Sequence, residues 1–242
     1  MRPQRKRIAP HPAALRIVAA ASVAVIPVLL VAYAALGSGS YYLLSSVIVV
    51  LALVPFFAVF ERRRPQAREI VPIAVMSGIA VAGRIAFAAL PSFKPVTAIV
   101  MLTGAVFGPE AGFITGALSG LLSNFFFGQG PWTPWQMFAW GLIGLLTGLA
   151  QGAGLFRRRI FLYIAGALAG YLFGGITNLS YVFANGFNLT WQAVAATYAS
   201  SFVFDTIHSA STVIFLLILA NPLLEKLKRL KIKYGLLRKE ES

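Results

Sequence analysis

The chain contains no cysteine. Disulfides, thiol catalysis and cysteine-based metal sites are therefore excluded, and thiols say nothing of its redox compartment. Histidine occurs only at His11 and His208, too few for a histidine-rich metal centre. Charge is also scarce. Only 12% of the 242 residues are charged, against about 25% in ordinary soluble domains. Of the seven acidic residues, only Glu110 and Asp205 lie away from basic edges or tails. Hydrolytic or phosphoryl-transfer chemistry has little to work with. GxxxxGK[ST], HExxH and GxSxG are all missing, so ATP is not bound through a P-loop. Acids and histidines do not alternate along helices as in a proton relay, and no inverted repeat links two halves of a self-sufficient transporter. These absences point away from an enzyme and from any metal or cofactor.

What remains is hydrophobic. Apolar residues make up 58% of the chain and mean hydropathy is +0.78, so a bilayer must be the solvent for much of the surface. Eight apolar segments stand out: 15–36, 41–60, 70–90, 96–108, 111–127, 135–156, 160–184 and 198–220. Most reach the length of about 20 residues that a membrane helix needs. Segment 96–108 is short and must be tilted, extended or not fully spanning. The first segment reads as a retained helix rather than a signal peptide, since a second apolar run follows directly after GSGS. The expected fold is an all-α integral membrane protein with a six-helix core preceded by two extra N-terminal transmembrane helices. Its divisions are 1–69 (basic terminus and extra helices), 70–220 (core) and 221–242 (basic tail).

Net charge is +14, which in a soluble protein would suggest nucleic acid. Its distribution argues otherwise. With the N-terminus inside, the inner segments hold 18 Lys and Arg, whereas the outer loops 37–40, 91–95, 128–134 and 185–197 hold only Lys94. That is a strong positive-inside signal, placing both termini on the cytoplasmic side of the cell membrane. The tail EKLKRLKIKYGLLRK could lie on anionic lipid or meet a cytoplasmic partner.

Small residues recur every fourth position in four stripes: Ala74, Gly78, Ala82 and Ala86; Gly104 to Gly120, broken by Pro109 into two helices; Gly144, Gly148 and Gly152; and Gly166, Gly170 and Gly174. Such faces let backbones approach closely, within one chain or between membrane proteins. Spacing alone does not choose which stripe meets a partner.

Asp205 and His208 lie three apart in SFVFDTIHSAST and share a helix face. A charged Asp near mid-bilayer costs about 2.5–3.5 kcal/mol, so it faces a partner or a cavity. A helix starting near residue 198 places Asp205 about 10 Å deep. Asp205 could orient His208, pair with Arg84, or line a ligand site with His208. Arg84 could pair with Asp205, snorkel outward or contact a ligand. Glu110 suits a helix N-terminus.

The outward segments concentrate aromatics and amides. In FFFGQGPWTPWQMFAWG, glycines and prolines form a turn with few free dihedrals. Trp132, Trp135 and Trp140 can stack on flat or bulky apolar groups, although Trp and Tyr also belong at membrane interfaces as a belt. Gln129, Gln136, Asn124, Asn178 and Asn185 can bond amides and hydroxyls, and Tyr181 adds an aromatic hydroxyl. Such a region suits a large, amide-bearing, weakly charged organic ligand.

Three stretches carry a family resemblance: IAVMSGIAVAGRIAF, FKPVTAIVMLTGAVFGPEAGFITGALSGLLSNFFFGQGPWTPWQMFAWGLIG and FDTIHSAS. Together the run from Ile70 to Ala220 resembles the substrate-binding S components of energy-coupling-factor (ECF) vitamin transporters. The resemblance implies a six-helix core that captures a vitamin from outside, with loops 91–95, 128–134 and 185–197 closing over it. It implies that Ala82 and Ala86, with Ala74 and Gly78, contact a transmembrane coupling subunit, and that two separate ATPase subunits hydrolyse ATP. PWTPWQMF is similar to cobalamin-type S components, which implies cobalamin as ligand. Another vitamin or a modified-nucleobase precursor, a stand-alone facilitator and a structural or enzyme-accessory membrane protein remain the alternatives. The first ~65 residues depart from the six-helix pattern.

Overall fold

A computed structural model describes residues 53, 67–184 and 190–233. The two extra N-terminal helices expected before residue 67, and the end of the basic tail, lie outside the described residues. Within them the chain is helical and no strand occurs. Six α-helices follow in order: α1 (Ala67–Ala86), α2 (Val96–Phe107), α3 (Pro109–Phe127), α4 (Thr133–Gly152), α5 (Arg159–Ala184) and α6 (Trp191–Lys233). A 3-10 turn, Leu155–Arg157, joins α4 to α5. The helices run alternately up and down, which brings residues 87–95 and 128–132 to one end, here the Trp132 end. Gly108 and residues 153–158 lie at the opposite, Gly108 end.

The shortest helix is the centre of the bundle. At 12 residues α2 rises only about 18 Å, well short of the ~30 Å apolar thickness of a bilayer. Apart from Thr97 and Thr103 it is apolar on every side, the pattern of a helix surrounded by protein. Every residue but Ala105 is buried, against α1, α3, α4 and α6. Leu53, from the segment before α1, is buried in the same core. Pro109 ends the α2 pattern as the spacing predicts: Gly108 takes φ +97°, and Pro109 opens α3, where a missing N–H costs nothing.

Glycine decides how closely α2, α3 and α4 approach. A Cβ on Gly144 would lie 2.2 Å from the Gly112 carbonyl oxygen, and one on Gly104 2.3 Å from that of Gly144. Gly116 is held equally close to the Trp140 carbonyl, and Gly148 to Pro109. The α5 stripe is used in the same way against α6, with Gly170 on the Ser209 backbone and Gly174 on the Asp205 carboxylate. The α1 stripe differs. Ala74, Gly78, Ala82 and Ala86 are all exposed, and a Cβ on Gly78 would meet nothing within 4 Å. Three of the four stripes are thus spent on internal packing.

Helix α6 departs most from expectation. It begins at Trp191, inside the segment read as an outer loop, and runs 43 residues to Lys233 without a break at residue 221. Pro222 lies within it, yet the helix continues because Leu223, Leu224 and Leu227 still pack on the core and Lys231 Nζ donates to the Val106 carbonyl at 2.6 Å. Among the described residues, two helices, Arg159–Val182 and Trp191–Lys233, are long and apolar enough to cross a membrane by length and composition.

Gly144→Ala drives a methyl group into backbone that cannot move aside, and should cost about 1–3 kcal/mol. Gly78→Ala should leave stability unchanged or slightly raised. Thermal unfolding of both in detergent checks this; equal midpoints would contradict the close crossing.

Candidate functional site

All six helices contribute polar or aromatic side chains to one connected group toward the Trp132 end. Its corner is short: residues 128–132 join α3 to α4. Gly128 takes φ +94°, and the Trp132 ring lies on Gly130 so closely that a Cβ there would clash. Pro134 sits in the first turn of α4, where proline fits. Thr133 fastens the corner. Its hydroxyl donates to Gln129 Oε1 at 3.0 Å and accepts from the Gly130 N–H at 3.2 Å and from Asn124 Nδ2 at 2.9 Å. Asn124 Nδ2 also donates to Gln136 Oε1 at 2.9 Å, and Gln129 Nε2 donates to the Leu121 carbonyl at 3.0 Å. Much of the amide capacity read as ligand-facing is therefore used to hold the corner.

Arg84, absent from the set of ligand residues expected from sequence, is the hub. Its Nη1 donates to Asn124 Oδ1 at 2.8 Å and to Ser123 Oγ. Its guanidinium carbon lies 4.5 Å from the centre of the Phe127 ring and 5.1 Å from that of Trp140. Beyond Trp140 a row of rings continues across the bundle, to Phe173 at 4.5 Å and from Phe173 to His208 at 4.7 Å. Thr97 of α2 closes this row. Its hydroxyl oxygen accepts the Trp140 indole N–H at 3.0 Å and pairs with His208 Nε2 at 2.6 Å.

Two expected pairings are corrected here. Asp205 neither orients His208 nor binds Arg84. Its Oδ2 accepts from Ser201 Oγ at 2.9 Å and from Asn178 Nδ2 at 3.2 Å. Residues at a spacing of three share a face but need not bond. Here Gly174 lets the Asp205 carboxylate settle directly on α5, while His208 points on to α2. The early start of α6 also puts Asp205 about 21 Å along the helix from Trp191, twice the depth expected from a start near 198.

The tryptophans divide. Trp135 is 1% exposed and belongs to the hydrophobic core, so it does not present a surface. Trp140 is buried within the ring row. Trp132, at 37%, is open. Tyr181 is 55% exposed on α5 and Gln129 is exposed on the corner, whereas Asn178 is buried with Asp205. Asn185 lies outside the described residues. Thr97, Phe127 and Phe173 are the members that sequence reasoning missed; for Arg84 it favours structural pairing over ligand contact. Arg84 carried a signal, as the one cation in the apolar run from Ile70 to Ala86; a threonine or phenylalanine in an apolar run carries none.

The segment 87–95 is pinned beside this group. Lys94 Nζ donates to the carbonyls of Phe87, of Ala88 at 3.2 Å and of Leu90 at 2.6 Å, closing the end of α1 as a cation should. Phe87, Phe93 and Phe215 pack ring to ring, and Ser211 Oγ donates to the Lys94 carbonyl at 3.0 Å. Burial, and then the Arg84 charge, hold the Lys94 ammonium below the ordinary lysine value.

Residues 65–229 match the model of the family described as ECF-type riboflavin transporter, S component. The chain belongs to this family of S components, the membrane-embedded substrate-binding subunits of ECF transporters. It is similar to a UPF0397 protein of Clostridium perfringens, 28% identical over 202 residues, which is 74% of this chain and 99% of that protein. A UPF0397 protein of Aliivibrio fischeri is 28% identical over 121 residues, 45% of this chain and 66% of that protein. No solved structure gives a significant match.

Thr97→Val keeps the shape of the side chain but leaves the Trp140 indole N–H and the His208 ring nitrogen without their shared partner. It should cost about 1–3 kcal/mol, read as a lowered unfolding midpoint and a changed near-ultraviolet tryptophan signal. An unchanged midpoint and spectrum would show that the hydroxyl does not tie the row together.

Proposed function

We propose that this chain captures a planar, heteroaromatic vitamin-class ligand at the Trp132 end and delivers it while docked on an ECF coupling subunit driven by two ATPase subunits. The observation that carries the ligand class is the row of flat groups Phe127, Arg84, Trp140, Phe173 and His208 spanning α3, α1, α4, α5 and α6. Its reachable part is the Phe127 ring, the guanidinium and the half-buried Gln136; Trp140 lies beneath. Rings of this kind favour a flat partner that stacks. The family's description, which names riboflavin, points to the same class. The case for cobalamin rests on the PWTPWQMF resemblance and on side-chain amides suited to a corrinoid, and the internal pairing of Asn124, Gln129 and Gln136 weakens the second ground.

The Trp132 end is the outward one in this reading. The described basic residues of the other end support it: Arg157, Arg158 and Arg159, with Lys226, Lys228, Arg229, Lys231 and Lys233 on the α6 extension. Both termini then lie in the cytoplasm. For docking, the face of α1 bearing Ala74, Gly78, Ala82 and Ala86 is supported by its exposure and by the internal use of the other stripes.

Calorimetric titration of the purified chain with riboflavin, cobalamin, biotin and thiamine tests the ligand class. One-to-one binding of riboflavin, without cobalamin, is expected. Binding of cobalamin alone would return the corrinoid reading, and a folded sample that binds none would refute riboflavin as the ligand. For docking, Ala82→Trp should abolish co-purification with the coupling subunit while leaving ligand affinity unchanged; co-purification at the wild-type level would exclude this face.

A further inference from the structure

A guanidinium inside a membrane bundle is costly unless something compensates its charge. Arg84 has no carboxylate to do so among the described residues. The chain has seven acids. Glu61, Glu240 and Glu241 lie outside the described residues. Glu69 is on the same helix, about 22 Å away along its axis at 1.5 Å per residue. Glu110 and Glu225 lie at the Gly108 end, and Asp205 is engaged by Ser201 and Asn178. The nearby Lys94 only adds a like charge. Its Nζ lies 5.9 Å from the centre of the Phe127 ring, with its donors turned to the carbonyls of Ala88 and Leu90 just past the end of α1.

The bonding of Arg84 is also incomplete in a specific way. An arginine carries five N–H donors in a planar fork. Here Nη1 uses its two on Asn124 and Ser123. The Nε and Nη2 donors meet no protein partner among the described residues, and neither atom is sealed from the surface. Phe127 and Trp140 hold the guanidinium over their faces, which fixes its plane. The edge left over is the one whose parallel N–H groups match two oxygens of a carboxylate or phosphate.

We propose that the Nε–Nη2 edge of Arg84 receives an anionic oxygen pair carried by the substrate, and that Arg84 thereby selects, among planar ligands, those bearing a carboxylate or phosphate. This rests on the planar-ligand reading above and narrows it. Stacking sets the class; the arginine edge sets the charge. Nη1, bonded to the corner through Asn124, stays in place while the free edge is filled, so ligand binding and corner geometry are mechanically linked through one side chain.

Three matched pairs of probes test this by titration: nicotinamide and nicotinate, pterin and pterin-6-carboxylate, riboflavin and flavin mononucleotide. The first two distinguish a carboxylate, the third a phosphate. In at least one pair the anionic member should bind about tenfold tighter or more, a difference typical of a charge-assisted bidentate contact. Arg84→Gln should abolish that difference, and Arg84→Lys should retain part of it. If Arg84→Gln does not fold, the methyl esters of the two carboxylates, titrated into wild-type protein, should lose the same affinity as the amide or unsubstituted ring. Neutral members binding as tightly as anionic ones in every pair, or an anion preference that survives Arg84→Gln or esterification, would overturn the proposal while leaving the planar ligand class standing. A folded protein that binds no member of any pair would overturn both.

Discussion

The bundle depends on backbone touching backbone. At the crossing of α2, α3 and α4, Gly104, Gly112 and Gly144 leave no room for even a methyl group. In lipid the hydrophobic effect gives little reason for helices to associate, and close van der Waals contact must supply it. Glycine makes that contact possible over a long seam. Because α4 is drawn so near to α3 and α2, Trp140 stands within reach of Thr97 on one side and Arg84 on the other. The short α2, too brief to cross a bilayer alone, is tolerated because the crossing wraps it in protein.

Polar groups follow from the same geometry. Most buried hydroxyls and amides among the described residues have either a helix carbonyl four residues back or a partner across the seam, as Thr103, Ser119 and Thr147 show for the first kind and Asn124, Asn178 and Thr97 for the second; the Ser77 and Thr115 hydroxyls have neither. Many of the side chains that bridge helices gather toward one end, and the side chains left exposed there include the aromatics Phe125, Phe126 and Trp132. A rigid corner, a capped α1 terminus and a stacked row of rings give a preformed surface, and a ligand received there as proposed would meet a lowered ordering cost.

Much of this was legible in the sequence. The apolar runs located all six described helices, Pro109 marked the break between α2 and α3, and the three matched stretches identified the family. The four-residue spacing located the seams, but spacing cannot say what lies across a helix face, so the exposed α1 stripe could not be told from the three buried ones. The Asp205–His208 expectation failed for a related reason: sharing a face brings two residues close, while bonding depends on what the facing helix offers, here Gly174 to one and Thr97 to the other. Counting aromatics could not separate Trp135, buried in the core, from Trp132, open on the corner, since helical phase decides it. The ends of α6 were misplaced because an apolar window stops at polar residues and proline, here Gln192 and Thr197 on one side and Asn221 and Pro222 on the other, although a helix can run through them.

The central claim is that this chain binds but does not transport by itself. Proteoliposomes holding the chain alone, compared with ones that also hold an ECF coupling subunit and its ATPases, test it directly with a radiolabelled ligand found by titration. The account predicts ligand retained in a one-to-one ratio by the chain alone, with accumulation only when the full module and ATP are present. Accumulation in the vesicle lumen by the chain alone would contradict it.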